Sequence, residues 1–493
     1  MPACRHSHHV AIDPRALREL ADLLGPGLVT SPDACVAFEC DALTAHRYRP
    51  EAVALPDSVA QVQAVLRTCH RHGIPVVARG SGTGLSGGAL PVPGAVLLVL
   101  SRLDRILEVD PRRAIARVEP GVTNLAVSEA AAPHGLYYAP DPSSQVACSV
   151  GGNVAENSGG VHCLKYGLTV HNVLAVDLVT VSGELLTIGA DVGEAAGLNL
   201  LALVLGSEGM LGVVVEVTVR LLSLPQRVEM LLAAFDDVGR CADAVGRLIA
   251  AGIVPSGLEM MDAPAIRAAD AFARCAYPLD AQALLLCEVD GLEADVAHEL
   301  RLARSVLEAA GATHLRIAAD AEERRRMWSG RKAAFPAVGR LAPDYYCMDG
   351  TIPRRHLAAI LARIAELSRE YRLDVANVFH AGDGNLHPLI LFDAGKDDEL
   401  ERAERFGAEI LEACVAVGGT VTGEHGVGVE KLGPMCSQFA AAELEAFHAL
   451  KRAFDPAGLL NPGKAVPTLH RCADYGALRV HGGKLPFANL PRF

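Results

Sequence analysis

The chain has 493 residues, 51% apolar and 21% charged, a length for about two to four domains and a composition that excludes a disordered chain. A formal charge of −13 excludes nucleic-acid binding as the main task, because a polyanion is repelled. Thirteen cysteines, an odd number scattered along a long chain, fit a reducing compartment, and the start MPACRHSHHVAIDP has no apolar run of a secretion signal.

The longest apolar runs, such as AVLLVL and LNLLALVL, fall far short of a spanning helix. The expectation is a cytoplasmic protein, held at the inner face of the plasma membrane, if at all, through partners. Residues 1–46 form an N-terminal segment, and its CRHSHH stretch reads as a frayed basic terminus rather than a metal site.

Organisation is readable from Arg47. Asp57-Ser58 offers a cap, and Val59, Val62, Leu66 and Cys69 follow at helical spacing until Gly73 and Pro75 stop the helix. A short strand, 76–78, runs into RGSGTGLSGGALP, residues 79–91. There Gly82, Gly84 and Gly87 read G-x-G-x-x-G and Asp104 follows, the outline of a dinucleotide fingerprint. In a Rossmann unit the third glycine opens a helix whose N-terminus holds the pyrophosphate. Here Gly87 is followed by Gly88, Pro91, Pro93 and Gly94, which forbid that helix. The loop turns back into the strand AVLLVL, and its successive N–H groups form an anion-binding nest without a helix. It reads as a pyrophosphate cradle, but not a Rossmann one.

The strand AIARVEPG and a helix over 124–134 lead to a second glycine-rich segment, PDPSSQVACSVGGNVAENSGG, residues 140–160. Its Gly151, Gly152, Gly159 and Gly160 let backbone approach a flat ligand, while Ser149, Asn153 and Asn157 can satisfy polar edges. A hairpin turning at Ser182-Gly183 follows, then GSEGMLGVV at 206–214 and a strand ending at Pro225, the expected boundary.

The second half alternates differently. A helix in DDVGRCADAVGRLIAAG, a strand in ALLLCEVDG, a long helix and THLRIAAD suggest an α+β domain on an antiparallel sheet. In NVFHAGDGNLHPLI, His380 and His387 flank a glycine turn between two strands, where flanking positions face each other and both imidazoles could converge on one ion, although such a pair alone is more often structural. GGTVTGEHGVG adds Glu424 and His425; two His and one carboxylate with an open position make a catalytic shell suited to Zn, Mn or Fe.

The series PVVARGSGTGLSGG, PDPSSQVACSVGGNVAENSGG and GSEGMLGVV resembles the FAD domain of the vanillyl-alcohol-oxidase/p-cresol-methylhydroxylase superfamily, and the chain is similar to its branch of D-2-hydroxyacid dehydrogenases. The resemblance implies an α+β chain. A two-part FAD-binding domain of the p-cresol-methylhydroxylase type at 47–225 is followed by an antiparallel-sheet substrate (cap) domain at 226–466 and a tail at 467–493. It implies that Arg79, Gly80, Ser81, Gly82, Thr83, Gly84 and Leu85 hold the FAD pyrophosphate. Pro140, Asp141, Ser149, Gly152, Asn153 and Gly159, then Glu208 and Val213, would surround the rest of the cofactor. Thr83 stands where members with covalent flavin often carry His, so the resemblance implies non-covalent FAD. It also implies a divalent metal on His380, His387 and Glu424 beside the flavin.

A 2-hydroxy acid would then chelate that metal, which lowers the hydroxyl pKa, with His425 as general base and C2 hydride passing to the flavin. Arg331, in MWSGRKAAFPAVGR, is the candidate for the substrate carboxylate, against a bland reading as a solvated helix face among Arg324, Arg325, Arg326 and Lys332. YYCMDGTIP lacks the cation that relatives acting on larger hydroxyacids carry before IP, which favours a small substrate; Asp349 there reads as supporting rather than catalytic.

WSGRKAAFPAVGRLAPDYYCMDGTIPRR and the tail PTLHRCADYGALRVHGGKLPFANLPRF are similar to the flavoprotein subunits of bacterial glycolate dehydrogenases (glycolate oxidases). That likeness implies oxidation of glycolate to glyoxylate, with a second flavin-domain subunit and an iron–sulfur subunit passing electrons to quinone. Cys35 and Cys40 are far from any cluster pattern, so this chain has no electron wire of its own. His470, Cys472 and His481 in the tail read as interaction surface. D-lactate, or another small D-2-hydroxyacid, is the competing substrate. A non-catalytic flavin-binding assembly subunit and a metallohydrolase with structural glycine loops are the other readings.

Overall fold

The computed structural model describes residues 11–191 and 197–467. The CRHSHH stretch and the tail with His470, Cys472 and His481 lie outside the described residues.

The helix over Val59–His72 forms as its pattern dictates. Val62, Val65, Leu66 and Cys69 are buried, and Gly73 ends it with φ +63°, a conformation that costs a glycine nothing. Ser58 occupies the N-cap position but makes no side-chain cap bond. The strands on either side of this helix, Ala52–Ala54 and Val76–Arg79, both pair in parallel with Val96–Val99. No helix follows the first glycine loop; the chain returns through residues 80–95 straight into Val96–Val99. Residues near the C-terminal end join this sheet's edge: Val76 N–H donates to the Leu459 carbonyl and Asn461 N–H to the Val76 carbonyl.

A second, antiparallel sheet runs in the order Ile106–Asp110, Ile115–Val118, Val213–Arg220, Val173–Val179, Leu185–Gly189. Its hairpin turns at Gly183, φ +81°, where the sequence places the turn. The helix expected at 124–134 is α-helical over Asn124–Ala131 and tightens to a 3₁₀ turn over Ala132–His134, which contains Pro133.

The chain leaves this sheet at Arg220 and enters a seven-stranded sheet at Arg227. The strand order is His314–Ile317, Arg227–Phe235, Ala283–Gly291, Gly257–Asp262, Val375–Phe379, Pro388–Phe392, Asp344–Cys347. Along Arg227–Phe235, Leu231, Ala233 and Phe235 enter one core while Met230, Leu232 and Ala234 enter the other. Both faces are covered by helices, which is why these strands read as unbroken apolar runs. Each buried leucine contributes about 1.5–3 kcal/mol. Among the described residues no helix is long and apolar enough to cross a membrane.

Candidate active site

A cavity of about 540 Å³ lies between the glycine loops and the seven-stranded sheet. Arg79, Gly80, Ser81, Gly82, Thr83, Gly84, Leu85, Ser149, Gly152, Asn153, Glu208 and Val213 all line it. Pro140, Asp141 and Gly159 do not: they stand behind the wall. The Pro140 carbonyl accepts from Asn124 Nδ2, and Asp141 Oδ2 lies 2.9 Å from His162 Nδ1. A Cβ on Gly159 would come within 2.6 Å of Glu424 Oε2, so the second loop backs directly onto the carboxylate of the opposite domain. Gly82 takes φ +75°, and a Cβ there would collide with the Arg79 guanidinium, which braces the loop from beneath and donates to the Cys40 carbonyl at 2.7 Å.

The opposite wall carries His380, His387, Glu424 and His425. Glu424 Oε1 sits 3.1 Å from His380 Nε2, 3.3 Å from His387 Nε2 and 3.9 Å from His425 Nε2. The His387 and His425 rings stack at 4.7 Å, 2° from parallel, and the His380 ring meets His387 edge-on at 5.1 Å. Neither nitrogen of His387 has a hydrogen-bonding geometry to a protein group, although the ring is buried. Buried, unsatisfied donor atoms facing a carboxylate fit a cation held by His380, His387 and Glu424. His387 also lies within reach of a second set, with Asp349 and His425.

The rings do not meet in the way the hairpin spacing suggests. The backbone pairs His380 with Asn385, and His387 is two residues further along. His387 stands opposite Val378, so the two imidazoles meet as diagonal neighbours on one face; at the turn, Gly384 takes φ +84°, and a Cβ there would strike the Ile352 carbonyl.

Electrostatics assign the protons. Burial opposes charge on His380, but Glu259 and Glu424 outweigh it and hold its imidazole well above the ordinary range. Burial would raise Glu424, yet the three histidines pull it down to about 2. Burial pushes His425 down to about 4 against the pull of Asp349, leaving a neutral ring able to accept a proton.

Two buried carboxylates fix the loop carrying Glu424 and His425. Asp349 accepts from the N–H groups of Gly423, Glu424 and His425, from Thr422 Oγ1 at 2.6 Å and from Lys431 Nζ at 3.0 Å. Lys431 and His425 hold it well below the carboxylate range in spite of burial. From the flavin-loop side, Glu208 accepts Val427 N–H and Gly428 N–H, both at 2.7 Å. Each of its oxygens accepts one N–H of this loop, and Glu208 still lines the cavity.

Arg331 is not on the cavity wall. It is wholly buried, neither a solvated helix face nor open to the cavity, and its Nη2 lies 2.6 Å from Glu259 Oε2. Glu259 Oε1 in turn accepts from His380 Nδ1 at 2.9 Å, which orients the imidazole and turns Nε2 to Glu424, where a bound cation would replace the proton that the two carboxylates hold there. The neighbouring Lys332 does line the cavity, with Phe335 and Tyr345, and makes no ion pair among the described residues. Sequence reasoning missed Glu259, Lys332, Phe335 and Tyr345. Only Glu259 carried a signal, as an acid in the middle of the buried strand Gly257–Asp262.

One cavity is bounded by two glycine-rich loops on one side and by a His/His/Glu cluster that could hold a metal ion on the other, the layout of a flavin-type oxidoreductase. Residues 50–189 match the family described as FAD binding domain, and residues 224–465 match FAD linked oxidases, C-terminal domain. The chain is 59% identical to the glycolate oxidase subunit GlcD of Escherichia coli (strain K12), over 97% of this chain and 95% of that protein. It is 36% identical to the GlcD of Bacillus subtilis (strain 168), over 87% and 92%. Among solved structures, p-cresol methylhydroxylase superposes with a TM-score of 0.78 at 17% identity, covering 92% of this chain and 97% of that one. The chain belongs to the FAD-linked oxidase family and shares the fold of the p-cresol methylhydroxylase superfamily; it is an FAD-dependent oxidoreductase.

Proposed function

We propose that this chain oxidises a small 2-hydroxy acid, glycolate, to the 2-oxo acid glyoxylate, as the flavoprotein subunit of a larger complex. The observation that carries the reading is that both glycine loops and the His380–His387–Glu424 cluster line a single cavity. FAD, bound without a covalent link, supplies the acceptor for the hydride leaving C2. A divalent cation (Zn, Mn or Fe) on His380, His387 and Glu424 supplies the Lewis acid that makes the hydroxyl acidic.

The chain's own groups do the rest. His425, neutral and stacked on His387, takes the hydroxyl proton. Lys332, which lines the cavity on the side of the histidine cluster's domain while Arg79 lies under the first glycine loop, attracts the substrate carboxylate. Arg331 acts one step back, holding Glu259 against His380.

Because the relatives above are named as subunits, we assign the onward path of electrons to partners: a second flavin-domain subunit and an iron–sulfur subunit, at the inner face of the membrane and toward quinone. Among the described residues no group of cysteines is placed to hold a cluster. The test is anaerobic reduction of the purified yellow protein by glycolate, D-lactate and L-lactate in turn. Bleaching by glycolate is expected. Bleaching by D-lactate alone would keep the chemistry and change the substrate.

A further inference from the structure

The helix Val150–Glu156 opens in the second glycine loop, where Ser149 Oγ accepts Gly152 N–H, and ends on an acid, Glu156, that lines the cavity. Glycines from two other segments surround that acid. A Cβ on Gly88 of the first loop would come within 2.7 Å of Glu156 Oε1, and one on Gly84 would stand 4.0 Å from both Glu156 Oε1 and Asp41 Oδ2. A Cβ on Gly426, next to His425, would overlap Glu156 Oε2 and lie 3.0 Å from Glu208 Oε1. Two carboxylates thus share a space that one methyl group would fill.

Glu208 is held there by its backbone. Its N–H donates to the Ala155 carbonyl at 2.8 Å, and it adopts φ +51°, a left-handed conformation unusual for a glutamate. Its oxygens accept Val427 N–H and Gly428 N–H, donors that favour a negative charge on it. Glu156 has no such support: its Oε2 is buried and meets no hydrogen-bond partner. The charged groups that face it are Glu208, Asp41, Lys431 and Lys464. Lys431 Nζ donates to Asp349 at 3.0 Å and to the Gly426 carbonyl, and Lys464 Nζ to the Gly88 and Leu90 carbonyls. Burial first, then Glu208 and Asp41, hold the Glu156 carboxyl well above its ordinary range against the pull of the two lysines. Of the pair, Glu208 carries the charge and Glu156 the proton.

We propose that Glu156 is a further cofactor-binding residue: it meets FAD as the neutral acid, and filling the cavity with this anionic cofactor takes up a proton from solvent at Glu156. The inference rests on FAD occupying this cavity and not on the substrate proposed above. FAD brings the charge of its diphosphate into the space that Glu156 lines and expels water that would screen the two carboxylates. Both effects raise the cost of a second negative charge, and protonation turns a repelling oxygen into a donor. One proton moves from solvent to the carboxylate, and no electron is transferred.

The experiment uses protein stripped of FAD, and no substrate. Calorimetric titration with FAD in buffers of different ionisation enthalpy counts the protons taken up, and flavin fluorescence gives the dissociation constant from about pH 6 to 9. Wild type should take up about one proton per FAD at the alkaline end, its affinity falling there by up to about tenfold per pH unit. Glu156→Gln is neutral at every pH and keeps the size of the side chain. It should take up no proton, bind FAD as wild type does at the acid end, and bind it more tightly than wild type at the alkaline end. Glu156→Ala, neutral but without a donor, should also lose the pH slope, at lower affinity throughout. Wild type that binds FAD without proton uptake would overturn the proposal. So would variants that weaken binding by one constant factor and keep the wild-type slope, the result a purely structural role would give.

Discussion

Glu259 and Arg331 form an ion pair at 2.6 Å with both side chains sealed from solvent, and the free oxygen of Glu259 is bonded to His380. A pair buried this deeply is costly to desolvate and weak evidence for stability on its own. Its placement explains it: the pair sets which nitrogen of His380 faces the cavity. Glu259→Leu should weaken binding of the divalent cation by about 10–100-fold, measured by competition with a chelator. It should also destabilise the protein by about 3–5 kcal/mol, because the Arg331 charge is left unpaired. Adding Arg331→Met should restore much of the melting temperature and none of the metal affinity. Recovery of both would show that the pair has no bearing on the metal.

His425 can be separated from the ligands that surround it. His425→Gln should slow flavin bleaching by about 10²–10⁴-fold while the protein stays yellow and keeps its metal, since a general base contributes on that order. A variant that loses metal as well would make His425 a ligand, in the second set with Asp349 and His387.

The turn between the two histidines passes through Gly384 at φ +84°, with its backbone against the Ile352 carbonyl. Gly384→Ala must move backbone that positions His380 and His387. The expected result is protein with FAD content near wild type and metal content strongly reduced, read by elemental analysis of the yellow fraction. Equal loss of both would indicate general unfolding.

Asp262 caps the helix Ala263–Ala273 through Ala265 N–H and accepts from Asn377 Nδ2 at 2.7 Å. Burial raises its carboxyl to about 6 in spite of these bonds. The folded protein therefore binds this proton more tightly than the unfolded chain. The sign follows: stability from this group is present below the unfolded carboxylate range and is lost as pH rises through about 6. A shift of this size amounts to about 3 kcal/mol. Asp262→Asn cannot ionise and still caps the helix, and Asn377 Oδ1, which has no partner, can turn to meet the new amide. The variant should melt higher than wild type at pH 7 and near it at pH 4. A pH profile parallel to wild type would contradict this.

The sequence made some of this legible for plain physical reasons. Pro91 and Pro93 rule out a Rossmann helix whatever the glycines before them suggest, and the strand Val96–Val99 follows as expected. His380, His387, Glu424 and His425 are few, lie among glycines, and converge. Other features were hidden because they depend on long-range packing. Arg331 sits among charged helical neighbours and looks solvated; only the fold brings Glu259, on a strand far away in sequence, to its side. Glu208 reads as part of a cofactor loop and lines the cavity, but its bonds to Val427 and Gly428 join residues more than 200 apart. Phe335 and Tyr345 lie in apolar stretches and look like ordinary core. The return of Leu459 and Asn461 to the edge of Val76 joins the far end of the chain to the first sheet, which no local pattern signals.

The central claim is that the glycine loops and the His/His/Glu cluster serve one reaction at one substrate. The most direct measurement is single-turnover bleaching by glycolate under anaerobic conditions, on the same protein as purified, after chelation and dialysis, and after a divalent cation is added back. The account predicts that the chelated protein remains yellow, is no longer bleached at an appreciable rate, and recovers when the cation returns. Bleaching at an unchanged rate in the metal-free protein would contradict it, and so would a fully loaded protein that glycolate leaves yellow.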